Sequence, residues 1–416
     1  MSITFDFQYS KISNNFQSSS LTKYKNYLLK ILKNKKNFFD KKESFLCLPF
    51  YKKTIYQCKK LNKLLNPDLM IVIGIGGSNL GAWCVYNSIY GRYAELLEKK
   101  ILFADSPEPL LIKKILDICS TYIKEKKKIC LVFISKSGTT LESVANFKIL
   151  YSFLKSSSPH IDIVFISSSS HFDRRKLKQL NFHFLKIPQA VVGRYSVFSV
   201  AGVFPLVYCG IDVESLFSGA QKATLNILQK EPQILYNWAN FIYSNYPAKN
   251  IFVSFLFSSS LEKYGMWHNQ LFAESLSKNL KGLTPIFSIG PMDLHSMAQL
   301  YFGGPKDKIF SLLSIKRFDY DEVFSSQPAI FSQEDIFTSK PLSHIYNSIF
   351  RGVKQAFISA KLPFVSIELE KLDEFHLGYL MQCDMLKTIF CAKLAGVNAF
   401  DQPAVELYKS EVKKFL

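Results

Sequence analysis

The sequence predicts an α/β fold of two three-layer α/β/α sandwiches with mainly parallel sheets, a helical N-terminal region and a C-terminal helical arm. Three observations support this fold. Short apolar runs alternate with longer amphipathic stretches, and the alternation occurs twice along the chain. The apolar runs are rich in β-branched and aromatic residues, as is typical of strands that helices cover on both faces. The chain has 416 residues, which exceeds the length of one ordinary domain.

The first sandwich is predicted between residues 66 and 213. Its strands are expected at 70–75, 101–104, 129–134, 161–166 and 184–187, and its helices at 79–98, 107–127 and 141–155. Each helix lies between two strands, and each connection is long enough for a right-handed strand–helix–strand crossover. Crossovers of this kind produce a parallel sheet.

A second alternation predicts the other sandwich, between residues 214 and 395. It begins with a polar helical stretch at 214–246. Strands are then expected at 251–257, 283–289, 309–315 and 364–369, with helices at 261–280 and 376–395. The two halves share an architecture without a clear residue-level repeat.

The two ends of the chain lie outside both sandwiches. Residues 1–65 are rich in Lys and Asn and are predicted to be helical. Residues 396–416 are predicted to form an arm with a terminal helix. Asp401 or Gln402 suits the N-cap of that helix and Pro403 its first helical position, since proline lacks the N–H that this position leaves unbonded.

The positive charge of the chain is concentrated near its N-terminus. The net charge is +19, and residues 1–65 hold fourteen Lys against three acidic residues, a net +11. A polyanion-binding arm would have this composition. However, no zinc finger, helix-turn-helix or ribonucleoprotein motif accompanies the lysines. We therefore favour solvated lysines on amphipathic helices and expect neither nucleic acid nor a membrane as partner.

The eight cysteines predict a reducing compartment and no metal site. They are scattered along the chain, and none forms a Cys-x-x-Cys pair. In a chain of this size the pattern indicates reduced core thiols and a cytoplasmic protein. We expect neither a metal nor a cofactor.

Two polar segments follow apolar strands at the positions where an open parallel sheet binds its ligand. One is 76–79, where paired glycines let backbone N–H groups approach an anion. A dinucleotide site is less favoured there because the full glycine spacing is missing. The other is 135–140, whose hydroxyl groups exceed what a helix cap requires. We predict a phosphate site with Gly77, Ser78, Ser135, Ser137 and Thr140.

Six segments, in order, resemble the signature segments of the phosphoglucose isomerase family, whose members carry sugar-isomerase domains. The segments are 74–81, 135–142, 193–196, 270–276, 293–296 and 401–409. The resemblance implies a cofactor-free isomerase that interconverts glucose 6-phosphate and fructose 6-phosphate through an enediol(ate), in glycolysis and gluconeogenesis. It also implies substrate-binding roles for Lys136, Gly193, Gln270 and Gln402.

The resemblance further implies four catalytic residues. Glu274 would be the base that moves a proton between C2 and C1, and Arg194 the cation beside the enediolate. His295 and Lys409 would open the sugar ring. In the family this histidine enters from the neighbouring subunit, which implies a homodimer. Since Gln402 and Lys409 are seven residues apart, we also expect them to share a helical face.

Three departures from the family pattern keep other functions open. Val192, Ser277 and Leu294 stand beside catalytic positions where the family usually has other residues. One alternative is a divergent isomerase with altered sugar choice, for example one that also accepts mannose 6-phosphate. Another is a non-catalytic regulator that binds sugar phosphates, although such a protein would have no reason to keep Glu274 and its partners. Arg194 could also serve as a structural ion-pair residue.

Overall fold

The structure is a computed structural model that describes residues 3–12, 16–34, 40–96, 100–157, 161–168, 172–324 and 339–416. Its strands are β1 (Ile3–Asp6), β2 (Leu69–Ile73), β3 (Lys100–Ala104), β4 (Ile129–Ile134), β5 (Ile161–Ser167), β6 (His183–Lys186), β7 (Ile251–Leu256), β8 (Thr284–Ile289), β9 (Lys308–Arg317) and β10 (Phe364–Lys371). Its helices are α1 (Ser19–Lys33), α2 (Lys53–Leu65), α3 (Leu80–Tyr90), α4 (Pro109–Lys124), α5 (Leu141–Ser157), α6 (Arg174–Gln179), α7 (Val200–Tyr208), α8 (Val213–Leu225), α9 (Gln233–Asn245), α10 (Glu262–Leu276), α11 (Ala298–Gly303), α12 (Leu342–Ser359), α13 (Glu374–Ala395) and α14 (Val405–Val412).

The first sheet has the order β3-β2-β4-β5-β6, and all its described pairs are parallel. Alternate residues of the central strand β2 enter different cores. Met70 and Val72 pack into the core on one face, and Ile71 and Ile73 pack into the core on the other. Both faces of the sheet are therefore covered, and the predicted parallel α/β sandwich is confirmed.

The second sheet has the order β1-β10-β9-β7-β8. Four of its strands are parallel, and β1 pairs antiparallel with β10, with Ile3 opposite Leu369. Residues 1–65 were predicted to be helical, so the strand Ile3–Asp6 is a correction. Four residues are too few to show a two-residue period beside Lys-rich helices, and the pairing with β10 decides their conformation.

One apolar core lies between the two sheets and joins them. It includes Val72 of the first sheet and Leu313 of the second, together with side chains from α10 and α13. Helix α13 is buried over nearly its whole length. Because the sheets share this core, helix α10 of the second half packs directly against elements of the first half. The site described below lies at that junction.

Several helix bounds differ from the prediction. The stretch 214–246 is two helices, α8 and α9, separated by a π-helical turn. Helix α3 ends at Tyr90, followed by Gly91 with a φ of 79°. Helix α12 was not predicted, although its buried residues Phe350, Val353 and Phe357 have helical spacing. Along the described ranges, no helix combines the length and apolar content needed to cross a membrane.

The terminal helix also begins later than predicted, at Val405 instead of Pro403. Asp401 and Gln402 are bound through their oxygens by Arg194, and this keeps the segment outside the helix. The domain bounds 66–213, 214–395 and 396–416 remain predictions.

Candidate active site at the junction of the two sandwiches

The predicted phosphate loop, residues 135–140, follows β4 and leads into α5. The buried Ser135 organises it: its Oγ accepts a hydrogen bond from Gly138 N at 3.1 Å and lies 3.1 Å from Thr140 Oγ1. Gly138 has a φ of 76°, a conformation that favours glycine. Ser137 is exposed, and its Oγ accepts from Thr139 N. The loop is thus a compact hydroxyl-rich turn at a helix N-terminus, an arrangement suited to an anion.

Lys136 lies in this loop among other cations. Burial, and after it the positive charges of Lys42 and Arg194, lower the pKa of its ammonium to about 8. A nearby anion stabilises the charged form of a half-buried ammonium beside like charges, because the anion offsets both the burial and the repulsion. The loop therefore combines hydroxyl donors with an electrostatic preference for a phosphate.

The turn at the end of β2, Gly76–Ser78, is locked against the turn Gly193–Tyr195. A Cβ on Gly77 would lie 2.3 Å from the carbonyl carbon of Gly193, so only glycine permits this approach. Ser196 Oγ donates to the carbonyl of Gly77 at 3.1 Å. Gly77, Ser78 and Gly193 therefore lie where the two turns meet, together with the residue that follows Gly193.

That residue, Arg194, is 1% exposed, and its guanidinium uses all five of its N–H groups. Nε donates to Ser275 Oγ at 2.9 Å, Nη1 to Glu274 Oε2 at 2.8 Å and to Gln402 Oε1 at 3.0 Å, and Nη2 to the carbonyls of Ala399 at 2.7 Å and Asp401 at 3.1 Å. A buried guanidinium stays charged and needs such partners. The ion-pair role considered for Arg194 is therefore present, and its partner is the predicted base.

Glu274 lies on the last turn of α10 with each carboxylate oxygen bonded. Arg194 donates to Oε2, and Gln270 Nε2, one turn earlier on the same helix, donates to Oε1 at 2.9 Å. The side chain keeps 30% exposure. A carboxylate held on one side and open on the other is oriented to receive a proton from a bound molecule.

Two further residues contact the predicted base and cation. Ser275 Oγ bonds Arg194 Nε and also lies 2.9 Å from the hydroxyl of Tyr195, whose pKa burial raises to about 12. Lys278 Nζ donates to the carbonyl of Glu274. The sequence analysis assigned a role to neither Ser275 nor Lys278. Both lie within or just after the segment 270–276 and about one helical turn or less from Glu274, and this proximity in sequence was a usable signal.

The C-terminal residues divide into one that reaches the centre and one that lies at its edge. Gln402 contacts Arg194. Lys409 is 46% exposed and pairs with Glu406 Oε1 at 2.8 Å, a hydrogen bond that raises the pKa of its ammonium. Since Gln402 precedes α14, the expected shared helical face of Gln402 and Lys409 is wrong.

His295 is a surface residue of the second half of the chain. It ends the short turn Met292–His295 that follows β8, and it is exposed. Within the described ranges, it shares no hydrogen bond or ion pair with Arg194, Glu274 or Lys409. The polar contacts of one chain therefore do not join His295 to this centre.

Two parallel sandwiches, a hydroxyl-rich loop and a guanidinium–carboxylate pair are the features that the resemblance to a sugar-isomerase-domain family implies. Comparison with known proteins narrows this class. The chain belongs to the phosphoglucose isomerase family, whose model matches residues 60–305. The predicted family is thereby confirmed, and five of the six segments, from 74–81 to 293–296, lie within the matched residues.

Individual relatives agree with this assignment over most of the chain. A probable glucose-6-phosphate isomerase of Methanococcus maripaludis is 33% identical over 362 residues, 85% of this chain and 79% of the relative. The glucose-6-phosphate isomerase of Methanocaldococcus jannaschii is 32% identical, covering 86% of this chain and 85% of the relative.

Solved structures show the same fold. The crystal structure of a hypothetical protein from Thermus thermophilus superposes with a TM-score of 0.85 at 24% identity, covering 99% of both chains. The structure of a glucose-6-phosphate isomerase from Chlamydia trachomatis superposes with a TM-score of 0.78 at 17% identity, covering 100% of this chain and 88% of that one. The predicted fold class is confirmed by these similarities.

Proposed function

We propose that the protein interconverts glucose 6-phosphate and fructose 6-phosphate by proton transfer, without a cofactor. The observation that carries this proposal is the carboxylate of Glu274, oriented by Arg194 and Gln270 and open on its remaining side. Its partner Arg194 is close enough to the loop 135–140 for the Arg194 charge to lower the pKa of Lys136. Family membership and relatives named for this activity add independent support.

The phosphate loop would hold the substrate by its phosphate. Ser137 and Thr140 supply hydroxyl donors, and the α5 N-terminus supplies backbone N–H groups. Lys136 supplies a positive charge that the phosphate favours. Hydroxyls and amides release a product more readily than a cluster of arginines would, so the arrangement suits turnover.

Glu274 would act as the base in the open-chain sugar. It takes the proton from C2 of the aldose as the C1 oxygen gains negative charge. The proton of the C2 hydroxyl passes to the C1 oxygen, and Glu274 returns its own proton to C1 as the C2 oxygen becomes the carbonyl of the ketose. Arg194 stabilises the negative oxygen. Because all five N–H groups already have partners in the protein, one of them must change partner, and the bond to the Gln402 side chain is the exchangeable one.

Ring opening would use Lys409 and a histidine from a second copy. His295 is exposed and, among the described residues, shares no hydrogen bond or ion pair with Glu274. We therefore propose a homodimer in which the partner subunit's His295 completes each site. We also propose a cytoplasmic location, consistent with eight buried thiols.

A coupled assay tests the activity. Fructose 6-phosphate is supplied with glucose-6-phosphate dehydrogenase and NADP⁺, and NADPH formation is followed. Mannose 6-phosphate is supplied in parallel, and fructose 6-phosphate formation is measured. We expect turnover of fructose 6-phosphate and its loss in Glu274→Gln. Glu262→Gln, on the first turn of the same helix, is the matched control and should retain activity. An inactive wild-type protein would refute the proposal.

Mixing two inactive variants tests the dimer. Glu274→Gln and His295→Ala subunits are mixed, dissociated and reassociated. If each site takes its histidine from the partner subunit, a mixed dimer has one intact site and one doubly defective site. Half of the dimers are mixed, so about a quarter of wild-type activity should return. Mixtures as inactive as their parents would contradict the shared site.

A further inference from the structure

A lysine with no role in the proposed chemistry connects the catalytic helix to the C-terminal part of the chain. Lys278 Nζ donates to the carbonyl of Glu274 at 2.7 Å and to the carbonyl of Ser275 at 2.9 Å. It also lies 3.5 Å from Asp401 Oδ1. One ammonium therefore contacts both the end of α10 and the segment 399–402, which we call the C-terminal anchor.

The contacts of Lys278 are those that a helix end requires. The last carbonyls of a helix have no partner within the helix and carry partial negative charge, so a cation there is stabilising. The Lys278 side chain is only 9% exposed. Burial, and after it the nearby Arg194 charge, lowers the pKa of Lys278, and Asp401 opposes this shift. The charged ammonium is stabilised in this environment by its three oxygen acceptors rather than by water.

The anchor itself is held from two sides. Arg194 Nη2 binds the carbonyls of Ala399 and Asp401 from inside, and the ring of Phe400 lies 5.3 Å from the ring of Tyr195. Lys278 holds the Asp401 carboxylate from the α10 side. These contacts set where the chain leaves the core.

Beyond the anchor, the protein surface restrains the chain little. Apart from the half-buried Val405, the residues from Pro403 to Leu416 are exposed. The position of α14, and of Lys409 on it, therefore depends mainly on the anchor. A small rotation at residue 402 would be amplified along the helix to Lys409.

We propose that Lys278 is a positioning residue that ties the C-terminal anchor to the helix carrying Glu274, and so fixes Gln402 and Lys409 relative to the base. It acts through these residues and need not touch the substrate. This inference rests on the proposed isomerase function. It predicts that loss of the tie loosens the arm and slows turnover, while phosphate binding by the loop 135–140 persists.

Three variants test the tie. Lys278→Met keeps the length of the apolar stem but removes the ammonium. Asp401→Asn weakens the pairing, while the Asp401 carbonyl that Arg194 binds remains. Lys281→Met is the matched control, because Lys281 pairs with Lys278 only through its main chain and has an exposed side chain. Amide hydrogen exchange over residues 399–412 and the kcat and KM for fructose 6-phosphate are measured for each.

We expect exchange in 399–412 to be about tenfold faster in Lys278→Met. We expect kcat to fall about 10- to 100-fold because the catalytic groups are misplaced, with KM changed less than about threefold since uniform binding persists. Asp401→Asn should show smaller shifts in the same direction, and Lys281→Met none. The double variant Lys278→Met/Asp401→Asn should have the same exchange rate and kcat as Lys278→Met, because the effects of two residues that act as a pair are not additive.

Wild-type exchange in Lys278→Met, or faster exchange with wild-type kcat, would overturn the proposal. If Lys278→Met does not fold, Asp401→Asn decides by the same two readouts. An inactive wild-type enzyme would instead overturn the proposed function, while the exchange measurement would still report on the tie.

Discussion

Replacing Gly77 by alanine tests whether the two turns of the site meet as described. The added Cβ would lie 2.3 Å from the Gly193 carbonyl carbon and 2.5 Å from the Arg194 nitrogen. Carbon atoms in contact prefer about 3.5–4.0 Å, so the overlap is about 1 Å. Both partners are backbone atoms and no flexible side chain can move aside. The two turns must therefore separate.

Separation of the two turns affects activity because the second turn, Gly193–Tyr195, carries Arg194. Overpacking of this kind costs about 1–3 kcal/mol of folding free energy. Moving Arg194 by about 1 Å relative to the phosphate loop costs about 100-fold in rate. We expect Gly77→Ala to fold with a reduced midpoint of denaturation and to lose about 100-fold in kcat/KM, measured by urea unfolding and the coupled assay.

A matched control makes the same glycine-to-alanine change at a position without close contacts. A Cβ on Gly352, inside α12, would meet nothing within 4 Å. Gly352→Ala should therefore raise stability by up to about 1 kcal/mol through helix propensity, with unchanged activity. A Gly77→Ala enzyme with wild-type kcat/KM would refute the contact between the turns and the reasoning based on it.

Four other substitutions address the charges and hydroxyls of the site. Since the pKa of Lys136 is about 8, its ammonium is charged below that pH and neutral above it, so kcat/KM should fall as the pH rises through 8. Lys136→Arg stays charged, so its kcat/KM should not fall in this range. Identical pH profiles for the two enzymes would exclude Lys136 from phosphate binding. Arg194→Lys should lower stability by about 3 kcal/mol or more and abolish turnover, because three ammonium donors cannot replace five guanidinium donors. Calorimetry measures the stability and the coupled assay the turnover, and a stable, active variant would contradict the account. Ser135→Ala should lower stability by about 1 kcal/mol because the partly buried Gly138 N–H loses its acceptor. Replacement of the exposed Ser137 by alanine should raise KM with little effect on stability, and equal unfolding midpoints for the two variants would argue against this difference.

The parallel sheets were predictable because their signal is local. Strands such as Ile129–Ile134 are continuous apolar runs, and burial on both faces requires such runs. Strand Ile3–Asp6 gave no comparable signal, since only its pairing with β10 makes it a strand. Helix α12 had a usable periodicity at Phe350, Val353 and Phe357. The sequence therefore carries enough signal to predict this helix.

The site was predictable in its residue types but only partly in its connections. The strand-to-helix segments at 76–79 and 135–140 mark the crevice because parallel strands end there. The five bonds of Arg194 join residues far apart in the chain, and no spacing rule indicates them. The terminal helix shows the same limit: capping rules favoured a start at Pro403, but tertiary bonds to Asp401 and Gln402 delay it to Val405.

The central claim is that Glu274 carries the proton, and solvent isotope exchange tests it most directly. Fructose 6-phosphate is incubated in D₂O with wild-type enzyme or with Glu274→Gln, and deuterium at C1 and C2 of the sugar phosphates is measured by NMR. The account predicts deuterium in both sugars with wild-type enzyme, and at least about a 100-fold slower exchange and isomerisation with Glu274→Gln, as expected for loss of a general base. Exchange by Glu274→Gln at the wild-type rate would contradict it.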